Sequence, residues 1–470
     1  MSLIMTTVNT EGISELSYIL GDSNAGRVAV VDPRPDCEIY LRLAREHGAA
    51  ITDIFETHNH ADFMSGSLEL AARCGGATIH LSEIGGTTYD FDHEPIRDGQ
   101  AFDFGSVTLT ARHTPGHTPE HVSFLVAMSD TADDPWAVLS GDCLFVGSAG
   151  RPDLIHGEGA EDLPDQLHRS LYDFYLKLDD AVIVLPCHGA GSACGANIGD
   201  RPLSTIGYER RHNPFLQFDD VDKFKQFVRN APPEPNHYSR MKKLNMAGPP
   251  LLQETEPPRA MTPEQFESAC SNSTVQLLDT RGMLAFGGGH IPGSLNIGNS
   301  PQLSVWAGWL LDPDKPLLLV TDDDAEVPRV LRRLHRVGLT KVAGYLAGGI
   351  KAWITRGRRL EHVDQISVTE LRDRCNQDDA LQLLDVRKDS EWESGHIPGA
   401  VHYPLPQLCA APPDELDAER PVAVYCGSGY RASIGASLLK RHGFERVCNV
   451  PGSFSAWQSA DYTIAADQHA

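Results

Sequence analysis

The sequence predicts a multidomain α/β protein, and three observations carry that expectation. Its 470 residues exceed the roughly 250–300 at which one hydrophobic core stops growing, so several domains must share the chain. Leu277–Ile297 (LLDTRGMLAFGGGHIPGSLNI) and Leu383–Tyr403 (LLDVRKDSEWESGHIPGAVHY) share a leucine pair, Asp, Arg and GHIPG in register, so the carboxy-terminal half is a tandem duplication. Its period of about 105 residues is too long for a solenoid and suits two domains. Within each copy, strands alternate with helical stretches, which implies small α/β domains with parallel sheets.

The amino-terminal half reads differently. Met1–Ile4 precede a second methionine, Met5, and are set aside. Short strands are expected over Val28–Val31, Ile51–Glu56, Val107–His113, Val122–Ala127, Ala137–Ser140 and Val182–Leu185, several ending directly in His or Asp. Thirteen of the 20 histidines precede residue 240, which favours metal chemistry here over the repeats. The second strand leads into His58-Asn59-His60-Ala61-Asp62. Alternate histidines at a strand end can converge on one ion, and neutral imidazole suits zinc or iron. His113-Thr114-Pro115-Gly116-His117-Thr118, Ser140-Gly141-Asp142 and Leu185-Pro186-Cys187-His188-Gly189 follow in order. An isolated H-x-H is a weak signal, whereas four such stations reinforce one another. His113, His121 and His168 read as surface or packing histidines, and Cys143 and Cys187 as inward-packing cysteines.

Ala231–Pro258 holds seven prolines and reads as an extended linker, assigned to 241–260 between a domain over 5–240 and repeats over 261–360 and 361–470. Each repeat continues through an apolar strand (Leu317–Val320, Val422–Tyr425) to a closing G-x-x-x-x-W (Gly348–Trp353, Gly452–Trp457). In the second repeat the strand runs into Cys426-Gly427-Ser428-Gly429-Tyr430-Arg431 and a helical stretch, Ala432–His442. Backbone N–H groups of such a loop, at a helix amino terminus, stabilise an anion, favour the thiolate and cradle a persulfide, and Arg431 adds positive charge. The first repeat has Thr321-Asp322-Asp323-Asp324 at that place, without cysteine and anionic.

These motifs carry resemblances. Over roughly residues 5–240, the order and spacing resemble the metallo-β-lactamase superfamily, with its T-H-x-H-x-D-H signature, TPGHT histidine, GD aspartate and late histidine. That implies an αββα sandwich with metal at one edge. Most members are two-zinc hydrolases, but here Phe63 stands where the last histidine of the signature belongs, and phenylalanine cannot ligate. The sequence therefore looks like the mononuclear branch, the persulfide dioxygenases. That likeness implies one Fe(II) held by His58, His117 and Asp142, with O₂ as cosubstrate on the open positions. His60, Asp62 and His188 then orient the ligands or belong to a second metal site. Arg151 matches a G-R-x-D segment of that branch and is read either as an anchor for a substrate carboxylate or as the partner of Asp153. Cys194, six residues past His188 in a Gly-rich loop, is read either as a sulfur relay or as a structural cysteine. The C-x-x-x-x-R loop with D-V-R and GHIPGA resembles rhodanese sulfurtransferases, one residue shorter than the loop of cysteine phosphatases. This implies two rhodanese-like domains, a persulfide on Cys426 cradled by Gly427, Ser428, Gly429 and Tyr430, and a scaffold role for Asp385 and Arg387. The first repeat resembles an inactive rhodanese, with a spacer or oligomerisation role.

Lys plus Arg number 40 against 64 Asp plus Glu, a net charge of −24 that disfavours nucleic acid and anionic membranes. Ten scattered cysteines without a C-x-x-C pair point to a reduced, cytoplasmic setting, and no segment reads as a secretion signal or a membrane span. The order of the three domains resembles bacterial fusions of sulfide detoxification. It implies a homo-oligomeric enzyme that oxidises glutathione, coenzyme A or cysteine persulfide to sulfite and passes sulfane sulfur through Cys426, with thiosulfate as combined product. Two alternatives remain: a two-zinc thioester hydrolase of the glyoxalase II type fused to a rhodanese, and a non-oxidative sulfur relay protein.

Overall fold

The computed structural model describes residues 2–157, 159–218, 220–229, 234–377 and 380–466. The chain divides into two compact units, Met1–Thr255 with Leu334–Gly338, and Glu256–Arg333 with Leu339–Ala470.

The first unit contains two six-stranded sheets. One runs β1 (Leu3–Thr10), β2 (Glu15–Asp22), β3 (Arg27–Val31), β4 (Ala50–Phe55), β5 (Thr78–Leu81), β6 (Glu94–Pro95) in chain order, antiparallel through β3 and parallel beyond it. The other is built from β7 (Ala101–Asp103), β8 (Val107–His113), β9 (Val122–Met128), β10 (Ala137–Gly141), β13 (Ile183–Pro186) and β14 (Ser204–Thr205), in the order β14-β13-β10-β9-β8-β7. A small hairpin of β11 (Leu144–Phe145) and β12 (Ser148–Ala149) follows β10. Two-residue periodicity explains the layering. Along β2 and β3, Leu16, Tyr18, Leu20, Ala29 and Val31 face the core between the sheets, where they meet Val107, Leu109, Phe124 and Leu139. The intervening Ile19, Val28 and Val30 face outward and pack with Tyr40, Ala44 and Leu70 of the helices Glu38–Glu46 and Ser67–Arg73. Val138 and Val184 do the same on the second sheet, against Leu167, Leu171 and Phe224. The layers are helix, sheet, sheet, helix, as the resemblance implies.

Two boundary readings are corrected. Leu3 and Ile4, set aside in the sequence, belong to the fold, since they pair with Asp22 and Gly21 in β1. The Pro-rich segment is not an extended linker. It carries the helix Tyr238–Ala247, and the first unit reaches Thr255. The prolines bracket a proline-free window, 236–248, rich in Met, Lys, Leu and Ala, where nothing opposes a helix. Ala231, Pro232 and Pro233 lie outside the described residues.

The second unit holds two five-stranded parallel sheets of one topology. The first is β15 (Arg259–Met261), β16 (Gln276–Asp279), β17 (Leu295–Asn296), β18 (Leu317–Val320) and β19 (Val342–Leu346), in the order β15-β19-β18-β16-β17. The second is β20 (Asp364–Gln365), β21 (Gln382–Asp385), β22 (Val401–His402), β23 (Val422–Tyr425) and β24 (Val447–Asn449), in the order β20-β24-β23-β21-β22. The shared motifs are scaffold. Arg281 grips Asp279 and the Gly289 carbonyl, Arg387 grips Asp385 and the Gly395 carbonyl, and Trp353 and Trp457 each donate to a carbonyl six residues on, at 2.9 Å. Among the described residues no helix is long and apolar enough to cross a membrane.

Candidate functional site

The metal stations of the sequence gather at strand ends of the first unit. His58 lies three residues beyond β4, with its Nδ1 2.9 Å from Thr57 Oγ1. Thr57 in turn is fixed to Asp32 at the end of β3, through its amide at 2.7 Å and its hydroxyl at 3.0 Å. His117 sits in the turn after β8. Gly116 has φ +139°, and a Cβ there would meet the Leu167 backbone at 2.3 Å, so only glycine permits this turn. Asp142 follows Gly141, whose φ is +52° and whose Cβ would strike His121 Nε2 at 2.4 Å.

His58 Nε2 and His117 Nε2 each stand 3.6 Å from Asp142 Oδ2. The three side chains are buried and offer ligand atoms within 4.8 Å of one another. Burial is the main cause that lowers both imidazole pKa values, so both rings are neutral with lone pairs available. Burial alone would raise the Asp142 carboxyl, but the surrounding histidines, His188 foremost with His117 and His60, together outweigh it and keep the carboxylate ionised. His58 Nε2 and Asp142 Oδ2 are buried without any hydrogen-bond partner, which an ion between them would supply. Two neutral imidazoles and one carboxylate are a donor set suited to a divalent metal such as zinc or iron.

The other predicted residues fall behind this triad. His60 Nε2 is 3.1 Å from Asp32 and 2.9 Å from Glu56, and these carboxylates outweigh burial and raise its pKa, so it is protonated and turned from the triad. His188 donates from Nδ1 to Asp142 Oδ1 at 2.7 Å and from Nε2 to Asp62 Oδ2 at 2.8 Å, which leaves Asp142 Oδ2 pointing at the histidines. His188→Ala should weaken metal binding roughly 10- to 100-fold in a metal titration, because Asp142 loses its orientation.

Arg151 is committed to Asp153, at 2.6 and 3.1 Å, and to the Ala193 carbonyl. The geometry is that of a structural ion pair, not of a free substrate anchor. Cys194 lies within 4.8 Å of Asp62 and His188, as its position past His188 suggests. It is nevertheless fully buried among Ala61, Phe145, Leu154, Ile198 and Tyr238, and burial raises its thiol pKa, so it fits the structural reading rather than the relay. Cys143 and Cys187 pack inward as expected.

Several residues escaped the sequence reading. His121, read as a surface or packing histidine, is fully buried as a packing residue and also supports the site: it accepts the Asp142 amide at 3.0 Å and pairs with Thr114 at 2.9 Å. Burial holds its pKa down to about 3. Between about pH 6.5 and 3 the unfolded chain therefore binds a proton that the folded chain does not, and stability present above pH 6.5 is lost as pH falls through that window. Thermal unfolding of His121→Asn should show a shallower loss across it than wild type. The helix Tyr238–Ala247 sends Asn245 to the carbonyls of His60 and Phe63, at 2.8 and 2.9 Å, and its Lys242 carbonyl accepts from Asn59 at 3.2 Å, so it fastens the ligand loop from behind.

In the second unit, Cys426 follows β23, and its Sγ accepts from the Gly429 amide at 3.1 Å. The carbonyls of Cys426, Gly427 and Ser428 accept from Phe454, Ser455 and Gly452, so they point away toward the helix Ser453–Ser459, on the other side from the Gly429 amide that donates to the thiol. The thiol stands at the amino terminus of the helix Tyr430–Arg441. Arg431 is clasped by Glu391 at 2.6 and 2.7 Å, a pairing absent from the sequence reading. Burial opposes the Arg431 charge, but Glu391 and Cys426 outweigh it and raise the pKa. In the first repeat, Asp323 caps Ala325 and Asp324 accepts the Gly348 amide, so its acidic loop caps backbone instead of cradling an anion.

The profile of the metallo-beta-lactamase superfamily matches residues 12–188, and that of the rhodanese-like domain matches 262–356 and 367–460. A crystal structure of a metallo-beta-lactamase from Staphylococcus aureus superposes with a TM-score of 0.66 at 30% identity, over 74% of this chain and 99% of that one. The mitochondrial persulfide dioxygenase ETHE1 of Bos taurus is 26% identical over 231 residues, 49% of this chain and 82% of that protein. A hydroxyacylglutathione hydrolase of Synechococcus is 30% identical over 227 residues, 43% of this chain and 84% of the hydrolase. With its αββα unit and metal-ligand cluster followed by two parallel-sheet repeats, the chain belongs to the metallo-β-lactamase superfamily and carries tandem rhodanese-like domains.

Proposed function

We propose that this chain oxidises a low-molecular-weight persulfide with O₂ and carries sulfane sulfur on Cys426. The observation that supports this most is the triad itself: two neutral imidazoles and an ionised carboxylate with unpartnered atoms converge, while His60 is held protonated elsewhere. Fe(II) held by His58, His117 and Asp142 would supply redox chemistry with O₂ that no side chain offers. The chain's own residues keep that site ordered and dry. His188 holds Asp142 ionised and oriented, Thr57 and Asp32 fix His58, and Asn245 pins the ligand loop.

The overall step balances as R–S–SH + O₂ + H₂O → R–SH + SO₃²⁻ + 2 H⁺. The S–S bond breaks, and the terminal sulfur loses the four electrons that O₂ gains. At the second centre, sulfite attacks the outer sulfur of a Cys426 persulfide, the S–S bond to Cys426 breaks, and the electron pair returns to the Cys426 thiolate as thiosulfate leaves. Gly429 N–H and the helix amino terminus stabilise that thiolate.

The likeness to hydroxyacylglutathione hydrolase favours a second reading, a two-zinc thioester hydrolase. It needs a second ion, for which Phe63 supplies no ligand, while His60 Nε2 is engaged by Asp32 and Glu56. Metal content separates the two: one ion per chain after purification with iron agrees with the oxidase, whereas two zinc ions per chain with thioester cleavage would favour the hydrolase.

A further inference from the structure

The cysteine-free repeat keeps its whole scaffold although Thr321 follows β18 where Cys426 follows β23, and Glu326 stands at the position of Arg431. The contacts of the neighbouring sulfur loop explain what the scaffold does. Tyr430, the loop residue before Arg431, donates from its hydroxyl to the Gly298 carbonyl of the first repeat at 2.8 Å, and a Cβ on Gly298 would lie 3.3 Å from the Tyr430 ring. Gly429, whose amide donates to Cys426 Sγ, has φ +108°, and a Cβ there would lie 2.9 Å from Met283 Sδ of the first repeat. One turn further along the helix, Ser433 donates to Asn296 Oδ1 at 2.6 Å, and Ser437 accepts the Asn296 amide at 3.1 Å. Positions 430, 433 and 437 share one helix face, and all three meet the first repeat. Asn296 is tied back into its own domain through the carbonyls of Asp279 and Arg281, at 3.1 and 2.9 Å.

We propose that the cysteine-free repeat is the wall that positions the sulfur-carrying loop, with Met283 and the Gly298 carbonyl holding Gly429 and Tyr430 so that the Gly429 amide stays aimed at Cys426. The inference rests on the reading of Cys426 as the sulfur carrier. Hydrogen bonds to sulfur weaken steeply with distance and angle, so a loop free to relax would lose the 3.1 Å contact of the Gly429 amide with Cys426 Sγ. The charges around the thiol come from the second repeat, as Arg431, Glu391 and the Asp385–Arg387 pair, while the charge of Arg333 in the first repeat acts on Tyr430. Those groups set the local charge, and the first repeat sets the geometry. The arrangement gives a copy without a nucleophile a role as a positioning element: Tyr430 is neutral, its pKa pushed up to about 12 by burial, and is the donor this contact needs.

The test uses the full chain with Tyr430→Phe, which removes the hydroxyl donor alone, and Met283→Ala, which opens the space over Gly429. Met283→Leu serves as the conservative rescue. Alkylation of Cys426 by iodoacetamide, followed on its peptide by mass spectrometry over a pH series around the ordinary thiol pKa of about 8.5, reports the thiolate directly. The expected result is an upward shift of the alkylation midpoint and a roughly three- to tenfold slower reaction at neutral pH in Tyr430→Phe and Met283→Ala, with Met283→Leu close to wild type. Wild-type midpoints and rates in both variants would overturn the inference. Should Tyr430→Phe fail to fold, Met283→Ala against Met283→Leu decides alone. A midpoint that shifts as expected in a protein that transfers no sulfur would uphold the positioning role and refute the carrier reading.

Discussion

Cys426→Ser is expected to lower sulfur transfer by about 10³-fold or more, while O₂ consumption with a persulfide substrate stays near wild type. The loop amides and Arg431 remain, but a hydroxyl in that cradle is neither ionised at neutral pH nor able to carry sulfane sulfur. Helix and loop depend on backbone contacts that serine preserves, including the Cys426 amide to Ser453 Oγ at 3.1 Å, so the loss reflects chemistry rather than folding. Transfer of sulfur from thiosulfate to cyanide, beside O₂ uptake on the same preparation, checks it. Full transfer by the variant would place the carrier on another cysteine.

His58→Ala is expected to have the converse effect. One of three convergent ligand atoms disappears, so metal retention and persulfide-dependent O₂ uptake should each fall by more than about 100-fold. Sulfur transfer through Cys426 should persist, because the loop and its helix take no part in holding the metal. Metal content of the dialysed variant, measured with its O₂ uptake, decides the point. Equal loss of both activities would mean that the two centres do not work separately.

What the sequence reveals and what it hides follow from the range of the interactions. Val107–His113, Leu317–Val320 and Val422–Tyr425 are visible as strands because alternation or a short apolar run bounded by turn residues is a local signal, and their limits agree with the structure. The β1–β2 hairpin is hidden because β2 is buried along its whole length and shows no alternation. The triad His58, His117 and Asp142 can be named because each follows a strand in a recognisable turn, but the geometry of His60 cannot. Alternation of side chains applies only to extended strand, and β4 ends at Phe55, so His60 lies in a loop that turns it to Asp32, 28 residues upstream. His121 and Asn245 serve the site through contacts made only once the sheets and the helix Tyr238–Ala247 are packed. Glu391 leaves one local trace: the second copy has glutamate where the first has Ala285, so the charge that clasps Arg431 occurs only beside the cysteine.

The measurement that bears most directly on the oxidase reading is O₂ consumption by the full chain on addition of glutathione persulfide, with the protein loaded in parallel with Fe(II) and with Zn²⁺. Rapid uptake with iron alone, one sulfite formed per O₂ consumed, is the predicted result. No uptake by the iron-loaded chain with glutathione, coenzyme A or cysteine persulfide would contradict it.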